Sequence, residues 1–233
     1  MKGLIGILGG MGPAATVDIF NKFVTFNKEA KSDQEHIPLL ISSIPDIPDR
    51  SQALLNNGQS PLAHLQRYLN ILVDGGAECV IIPCNTAHYW YADLKKTTNV
   101  HMISIIDSAI AAAQRDNQKR IGILATNATL ATGLYQSRMD ELGIECIKPE
   151  ESEQQNVMNS IYALKAGRVE ESKALMIEQA NKLFERGAET IICGCTEVPI
   201  ILEDQINQSP ERYLDATGEL VAATIKWYKE QTR

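Results

Sequence analysis

Two thiols stand at matching places in two copies of one phrase. Residues 76–86 read GAECVIIPCNT and residues 187–197 read GAETIICGCTE. In each copy an apolar run ends at a cysteine, Cys84 or Cys195, and polar residues follow directly. A short apolar run of this kind reads as a buried strand, and ligands of open α/β sheets bind beyond the C-terminal ends of strands. Each thiol is next to a predicted helix start, Asn85-Thr86 or Thr196-Glu197. A helix N-terminus lowers a thiol pKa through its dipole and its N–H donors, so both thiols are expected to reach the thiolate near neutral pH. If the two copies oppose each other across a pseudo-two-fold axis, the thiols flank one ligand. Such a pair suits inversion of a stereocentre: one thiolate removes a Cα proton, and the opposite thiol delivers one to the other face.

Other chemistries compete for these residues. Cys84 as a nucleophile, assisted by His88 or Glu197, would make a cysteine hydrolase, which leaves the second thiol without a purpose. Cys84, His88, Cys193 and Cys195 have the ligand types of a zinc site, but their spacing resembles no common zinc pattern, and no metal is expected. Residues 10–15, GMGPAA, fit G-x-G-x-x-A after a strand, yet Ser42-Ser43 stand where a dinucleotide site needs an acidic residue. A two-lobed amino-acid binder without turnover is the non-enzymatic reading; such binders are usually exported, and no export signal is apparent. Cys79, Cys146 and Cys193 lie inside apolar strand patterns and read as core residues.

Positioning the thiols takes alternating strands and helices. Strands are predicted at residues 3–8, 37–43, 78–83, 101–106 and 120–125. The GGMGP turn places Pro13 in the first turn of a helix, where proline is tolerated. Ser60-Pro61 opens a second helix that ends near Gly75-Gly76. The polar stretch 150–156 reads as a loop or a helix start. The IGIL of residues 5–8 recurs at 121–124, GAE recurs as described, and a strand ending at Asp107 is echoed by one ending at Asp215. Three echoes in the same order at similar spacing indicate two copies of one α/β unit. The expected fold is two pseudo-symmetric lobes, each a mostly parallel sheet flanked by helices, with the active site in the cleft between them.

The bulk properties agree. A chain of 233 residues, 44% hydrophobic, is long enough for two lobes of roughly 110 residues. A net charge of -7 argues against nucleic acid or an anionic membrane as partner. No apolar run approaches the roughly 18 residues of a membrane span. The N-terminus reads as strand, turn and helix rather than a signal peptide, and five cysteines is an odd count, so a reducing, cytoplasmic setting is expected.

GGMGP (9–13), PCNTAH (83–88) and GCTE (194–197) together resemble the aspartate racemase branch of the aspartate/glutamate racemase superfamily. The resemblance covers essentially the whole chain. Glutamate racemases instead carry a DSG-type first turn and a GCTH-type second cysteine segment. Relatives with a single cysteine, such as arylmalonate decarboxylases, are disfavoured by the two thiols here. The resemblance implies an enzyme that works without pyridoxal phosphate, metal or nucleotide, with Cys84 and Cys195 as the acid/base pair. It implies that Asn85, Thr86, Thr126, Thr129 and Thr196 line the α-carboxylate and amine region. Arg50, in IPDIPDR, and Lys165, in IYALKAG, match two cations that hold the side-chain carboxylate of the substrate. Met11 is a candidate ligand contact, and His88, Tyr162 and Glu197 are candidate supporting residues; His88 reads equally as a substrate-side group or a helix-capping core histidine. Ala128 stands where relatives often carry glycine. Relatives exchange their last strand and helix between lobes, which sets the expected limits at 1–99 plus 208–233 for the lobe of Cys84 and 100–207 for that of Cys195. A homodimer acting on a small acidic amino acid is implied, aspartate first, with glutamate or a broader range as the alternative.

Overall fold

Apolar runs without polar alternation become strands covered on both faces, and parallel sheets are built from them. In the computed structural model, which describes residues 3–232, both sheets are parallel and their central strands are buried, while the edge strands are partly exposed. The chain divides into two units. One combines the chain up to Ser108 with the chain from Thr217; the other is Ala109–Ala216.

In the first unit, β1 (Ile5–Gly9) leads through α1 (Pro13–Phe26) to β2 (Leu39–Ser43). Helices α2 (Arg50–Leu55) and α3 (Leu62–Asp74) return the chain to β3 (Cys79–Ile81), and α4 (Tyr91–Lys95) leads to β4 (His101–Ile103) and to α5 (Ile105–Arg115), which belongs to the second unit from Ala109 on. The strands are parallel in the order β2-β1-β3-β4. Ile5 is in register with both Leu39 and Cys79. The connections from β1 and to β3 leave in opposite directions, so the loops after these two strands flank the switch point of the sheet. GGMGP occupies one loop and Cys84 the other. Pro13 takes the first position of α1, as expected. Helix α3 buries Leu65, Leu69 and Leu72, one stripe at helical spacing.

The second unit repeats the plan. It contains β5 (Arg120–Leu124), α6 (Asn127–Ala131), α7 (Gln136–Glu141), β6 (Glu145–Ile147), α8 (Glu151–Lys165) and α9 (Val169–Glu185). It continues with β7 (Thr190–Cys193), α10 (Val198–Ile201), α11 (Glu203–Gln208) and β8 (Tyr213–Asp215), and α12 (Ala216–Thr232) follows. The order β6-β5-β7-β8 reproduces that of the first sheet. The polar stretch from 150 is the start of α8, where the Glu150 N–H donates to Glu153 at 2.8 Å. Helices α8 and α9 meet at two serines with no exposed surface: Ser160 donates to the Ser172 carbonyl at 2.7 Å, and Ser172 to the Ser160 carbonyl at 2.8 Å.

Two expectations are corrected. The divisions fall at 108/109 and 216/217, not at 99/100 and 207/208, because β4 bonds to β3 and β8 bonds to β7. Each last strand stays with its own sheet, and the helix after it changes unit: α5 enters the second unit at Ala109, and α12 enters the first at Thr217. The Asp107/Asp215 echo holds in sequence alone: Asp215 ends β8, whereas β4 stops at Ile103 and Asp107 is in the first turn of α5. Among the described residues no helix is long and apolar enough to cross a membrane.

Candidate active site

In the first unit Cys84 lies just past β3 and is 6% exposed. Its N–H turns back to the Ile82 carbonyl at 2.8 Å. It belongs to one apolar cluster with Met11, Leu8, Ile47, Ala87 and Trp90. Asn85 and Thr86 are buried beside it in the chain. A 3-10 turn, Thr86–Trp90, follows in place of the expected helix. The partner loop after β1 depends on Gly10, whose φ is +88° and whose hypothetical Cβ would lie 2.3 Å from the Ile44 nitrogen. The Gly10 N–H donates to the Thr16 hydroxyl at 2.8 Å, and that hydroxyl donates to the Gly12 carbonyl at 3.2 Å.

His88 is fully engaged by backbone. Its Nε2 accepts the Ile105 N–H at 3.1 Å, so Nδ1 carries the ring proton and donates to the Cys84 carbonyl at 2.8 Å. Burial pushes its pKa down to about 4, against weaker opposing effects of the Cys84 bond and Asp107. The ring stacks on Tyr91 at 5.2 Å, and the Tyr91 hydroxyl donates to the Met102 carbonyl at 2.7 Å. Of its two readings, the capping one fits: neither ring nitrogen remains for a substrate or for activating a nucleophile. Arg50 is half-buried at the first position of α2. Its Nη1 donates to the carbonyls of Ile47 and Pro48, both at 3.2 Å, while its Nε is buried with no protein acceptor.

In the second unit Cys195 lies just past β7 and is also 6% exposed. Its Sγ donates to Glu197 Oε2 at 2.9 Å, and the Thr196 hydroxyl donates to the same oxygen at 3.3 Å. Lys165 Nζ lies 3.4 Å from the other oxygen, Oε1. Glu197 is 3% exposed, so this is a buried carboxylate shared by a thiol, a hydroxyl and an ammonium. Burial first, and then the Glu197 charge, raise the Cys195 pKa well above the ordinary thiol value, with Lys165 opposing. The expectation that this thiol reaches the thiolate near neutral pH is therefore corrected. The helix that was to lower its pKa, α10, has four residues and begins only at Val198.

Thr126 caps α6, accepting the Thr129 N–H at 3.2 Å, and the two hydroxyls are 3.0 Å apart. Ala128 is inside α6 and fully buried, a helical position that does not need glycine. Tyr162 is half exposed and lines a groove with Asn159, Arg168 and Glu171, a lining that includes neither Cys195 nor Glu197. The strand cysteines are quiet: burial raises Cys79 to about 12 and Cys146 to about 11. Among the described residues no group of three or more His, Cys, Asp or Glu is placed to hold a metal ion.

Sequence reasoning missed the braces of these loops. Gln154 donates to the Ala125 carbonyl at 2.9 Å and to Asn127 at 2.8 Å, from 29 and 27 residues away. Thr16 and Tyr91 are likewise framework of the site. Thr16 carried a local signal, four residues after Gly12; the others carried none.

Two sheets of like strand order, each with a buried cysteine beyond the corresponding strand, define a duplicated α/β fold. The chain belongs to the Asp/Glu/Hydantoin racemase family, whose pattern it matches over residues 8–224. It is similar to the aspartate racemase of Picrophilus torridus, with a TM-score of 0.87 and 28% identity over 97% of this chain and 94% of that one. It is 25% identical to the broad specificity amino-acid racemase RacX of Bacillus subtilis (strain 168), over 97% of this chain and 98% of that protein. It is 28% identical to the glutamate racemase of Aquifex pyrophilus, over 57% of this chain and 51% of that protein. That match thus spans about half of each protein.

Proposed function

We propose that this protein interconverts L- and D-aspartate, with Cys84 and Cys195 as the two acid/base groups and no pyridoxal phosphate or metal. One observation carries the choice of substrate. Lys165 and Cys195 bind the two oxygens of a single carboxylate, that of Glu197. A cation therefore stands one carboxylate away from the thiol, which suits an acidic side chain only one methylene from Cα. Arg50 supplies the second cation in this reading. Thr126, Thr129, Thr196, Asn85 and Thr86 supply hydroxyl, amide and N–H groups for an α-carboxylate that gains charge as the Cα proton leaves.

Cys195 rests as a thiol hydrogen-bonded to Glu197, so it enters as the acid. Cys84, as thiolate, takes the Cα proton while the Cys195 S–H bond breaks toward the other face of the carbanion. After turnover sulfur 195 is the thiolate and sulfur 84 the thiol, and the reverse reaction exchanges the roles. Replacing either cysteine by serine is expected to lower kcat by at least ~10³-fold, in the upper part of the range for loss of general acid–base catalysis. The test is a chiral assay of both enantiomers of aspartate and glutamate, in deuterated water, with no added cofactor. Aspartate turnover with deuterium at Cα is the expected result. Full activity after loss of one thiol would rule out the two-base scheme, and preference for glutamate would support the second reading, a glutamate or broad-range racemase like the relatives named above.

The same reading makes the protein a cytoplasmic homodimer. Support comes from α1, whose exposed residues are all uncharged, in a chain of net charge -7. Pro13, Val17, Phe20 and Val24 follow one another at helix-seam spacing, and Val17 is 69% exposed. An uncharged seam is compatible with an identical seam across a two-fold axis, where like charges would repel.

A further inference from the structure

We propose that His88 is the positioning residue of Cys84: it ties the Cys84 carbonyl to the first N–H of α5 and so sets the sulfur before substrate arrives. The inference rests on reading Cys84 as an acid/base group. The sheet ladder ends at Ile81, so nothing in the ladder holds the next residues. Beyond it, the backbone of Cys84 makes two hydrogen bonds among the described residues, its N–H to the Ile82 carbonyl at 2.8 Å and its carbonyl to His88 Nδ1 at 2.8 Å. The first bond is local to the turn. The second reaches out of it, because the same ring accepts the Ile105 N–H at 3.1 Å, an N–H that a helix start leaves without an intrahelical acceptor. One neutral imidazole thus joins the loop after β3 to the loop after β4. The ring itself has little freedom: it is buried, and it stacks on Tyr91, which is fixed in turn to the Met102 carbonyl on β4.

The second copy of the phrase shows that this is a device of one thiol only. Aligning GAECVIIPCNTAH with GAETIICGCTEVP puts Pro199 opposite His88. Proline has no side-chain donor, and the Cys195 carbonyl is met instead by the Val198 N–H at 3.0 Å. Cys195 is held by its sulfur, through Glu197. Cys84 is held by its carbonyl, through His88.

The two nitrogens can be tested separately. His88→Asn can keep the donor to Cys84 and loses the acceptor for Ile105; His88→Gln reaches further and can keep the acceptor instead. His88→Ala is expected to lower kcat by ~10²-fold with little change in KM, the effect of misplacing a reacting group by about an ångström. His88→Asn should recover to within about tenfold of the parent, and His88→Gln should behave as the alanine variant. In deuterated water, exchange at Cα measured separately from each enantiomer should become one-sided in His88→Ala, in the same sense as in Cys84→Ser. Should the alanine variant fail to fold, the asparagine and glutamine variants carry the comparison. Rescue by glutamine but not asparagine, or equal loss of exchange from both enantiomers, would reduce His88 to a cap of α5 and overturn the proposal. Parent-like kcat in His88→Ala would overturn it too, provided Cys84→Ser is inactive. An active Cys84→Ser would instead show that the two-base reading had failed.

Discussion

Burial first, and then the charge of Glu197 and the hydrogen bond it accepts from the sulfur, raise the Cys195 pKa above the ordinary thiol value. Glu197→Gln removes the charge while keeping the shape, so the pH midpoint for alkylation of Cys195 by iodoacetamide, followed by peptide mass spectrometry, is expected to move down. Lys165→Met removes the opposing cation and is expected to move that midpoint up. Shifts in the opposite senses would mean that the carboxylate does not govern the thiol. His88 makes a second prediction, this time of stability. In the unfolded chain its ring titrates near 6.5, and in the fold near 4. Between those values the unfolded state takes up a proton that the native state refuses, so stability falls as pH drops from 6.5 toward 4, by up to about 3 kcal/mol. Urea midpoints across that range should fall less in His88→Gln than in the parent; equal slopes would refute the assignment. At this scale the sequence located the thiols, because a repeated strand end is a local signal. It did not show that the Glu197 carboxylate turns toward sulfur, which depends on the turn, nor that His88 reaches Ile105, which lies 17 residues on at the start of α5.

Strands and helices were legible in place and kind, and less so in length. The third strand was read over 78–83 but spans Cys79–Ile81, since Pro83 has no N–H with which to extend a ladder. The fourth was read over 101–106 but stops at Ile103, because Ser104 accepts the Asp107 N–H at 3.1 Å and starts α5. The turns between elements give the sharpest stability test. Gly10 combines a left-handed φ with a Cβ position 2.3 Å from the Ile44 backbone, so Gly10→Ala is expected to lose more than about 3 kcal/mol or fail to fold. Gly143 has φ +65° but open space around it, and Gly143→Ala should cost only about 1 kcal/mol. Urea midpoints of the two variants decide the matter; similar losses would mean that the close approach of the first turn to Ile44 is unimportant.

At the scale of the whole molecule, the duplicated plan was readable from echoes of sequence, while the limits of the units were not, because strand pairing and not resemblance sets them. The uncharged seam of α1 predicts that Phe20→Glu shifts the protein from dimer to monomer in sedimentation velocity; an unchanged sedimentation coefficient would place the contact elsewhere. The discontinuity of the first unit has a kinetic consequence. Its sheet is complete by Ile103, yet α12 also belongs to it, with Trp227 stacked on His101 at 5.4 Å and Lys229 paired with Glu29 at 2.7 Å. On the ribosome the part of this unit before Ala109 must therefore wait for the part after Ala216. The contiguous Ala109–Ala216 segment can finish first, which inverts the usual N-to-C order of domain maturation. Chains truncated shortly after Asp215 and released from the ribosome should protect the later-made half from protease and leave the earlier-made half open to it.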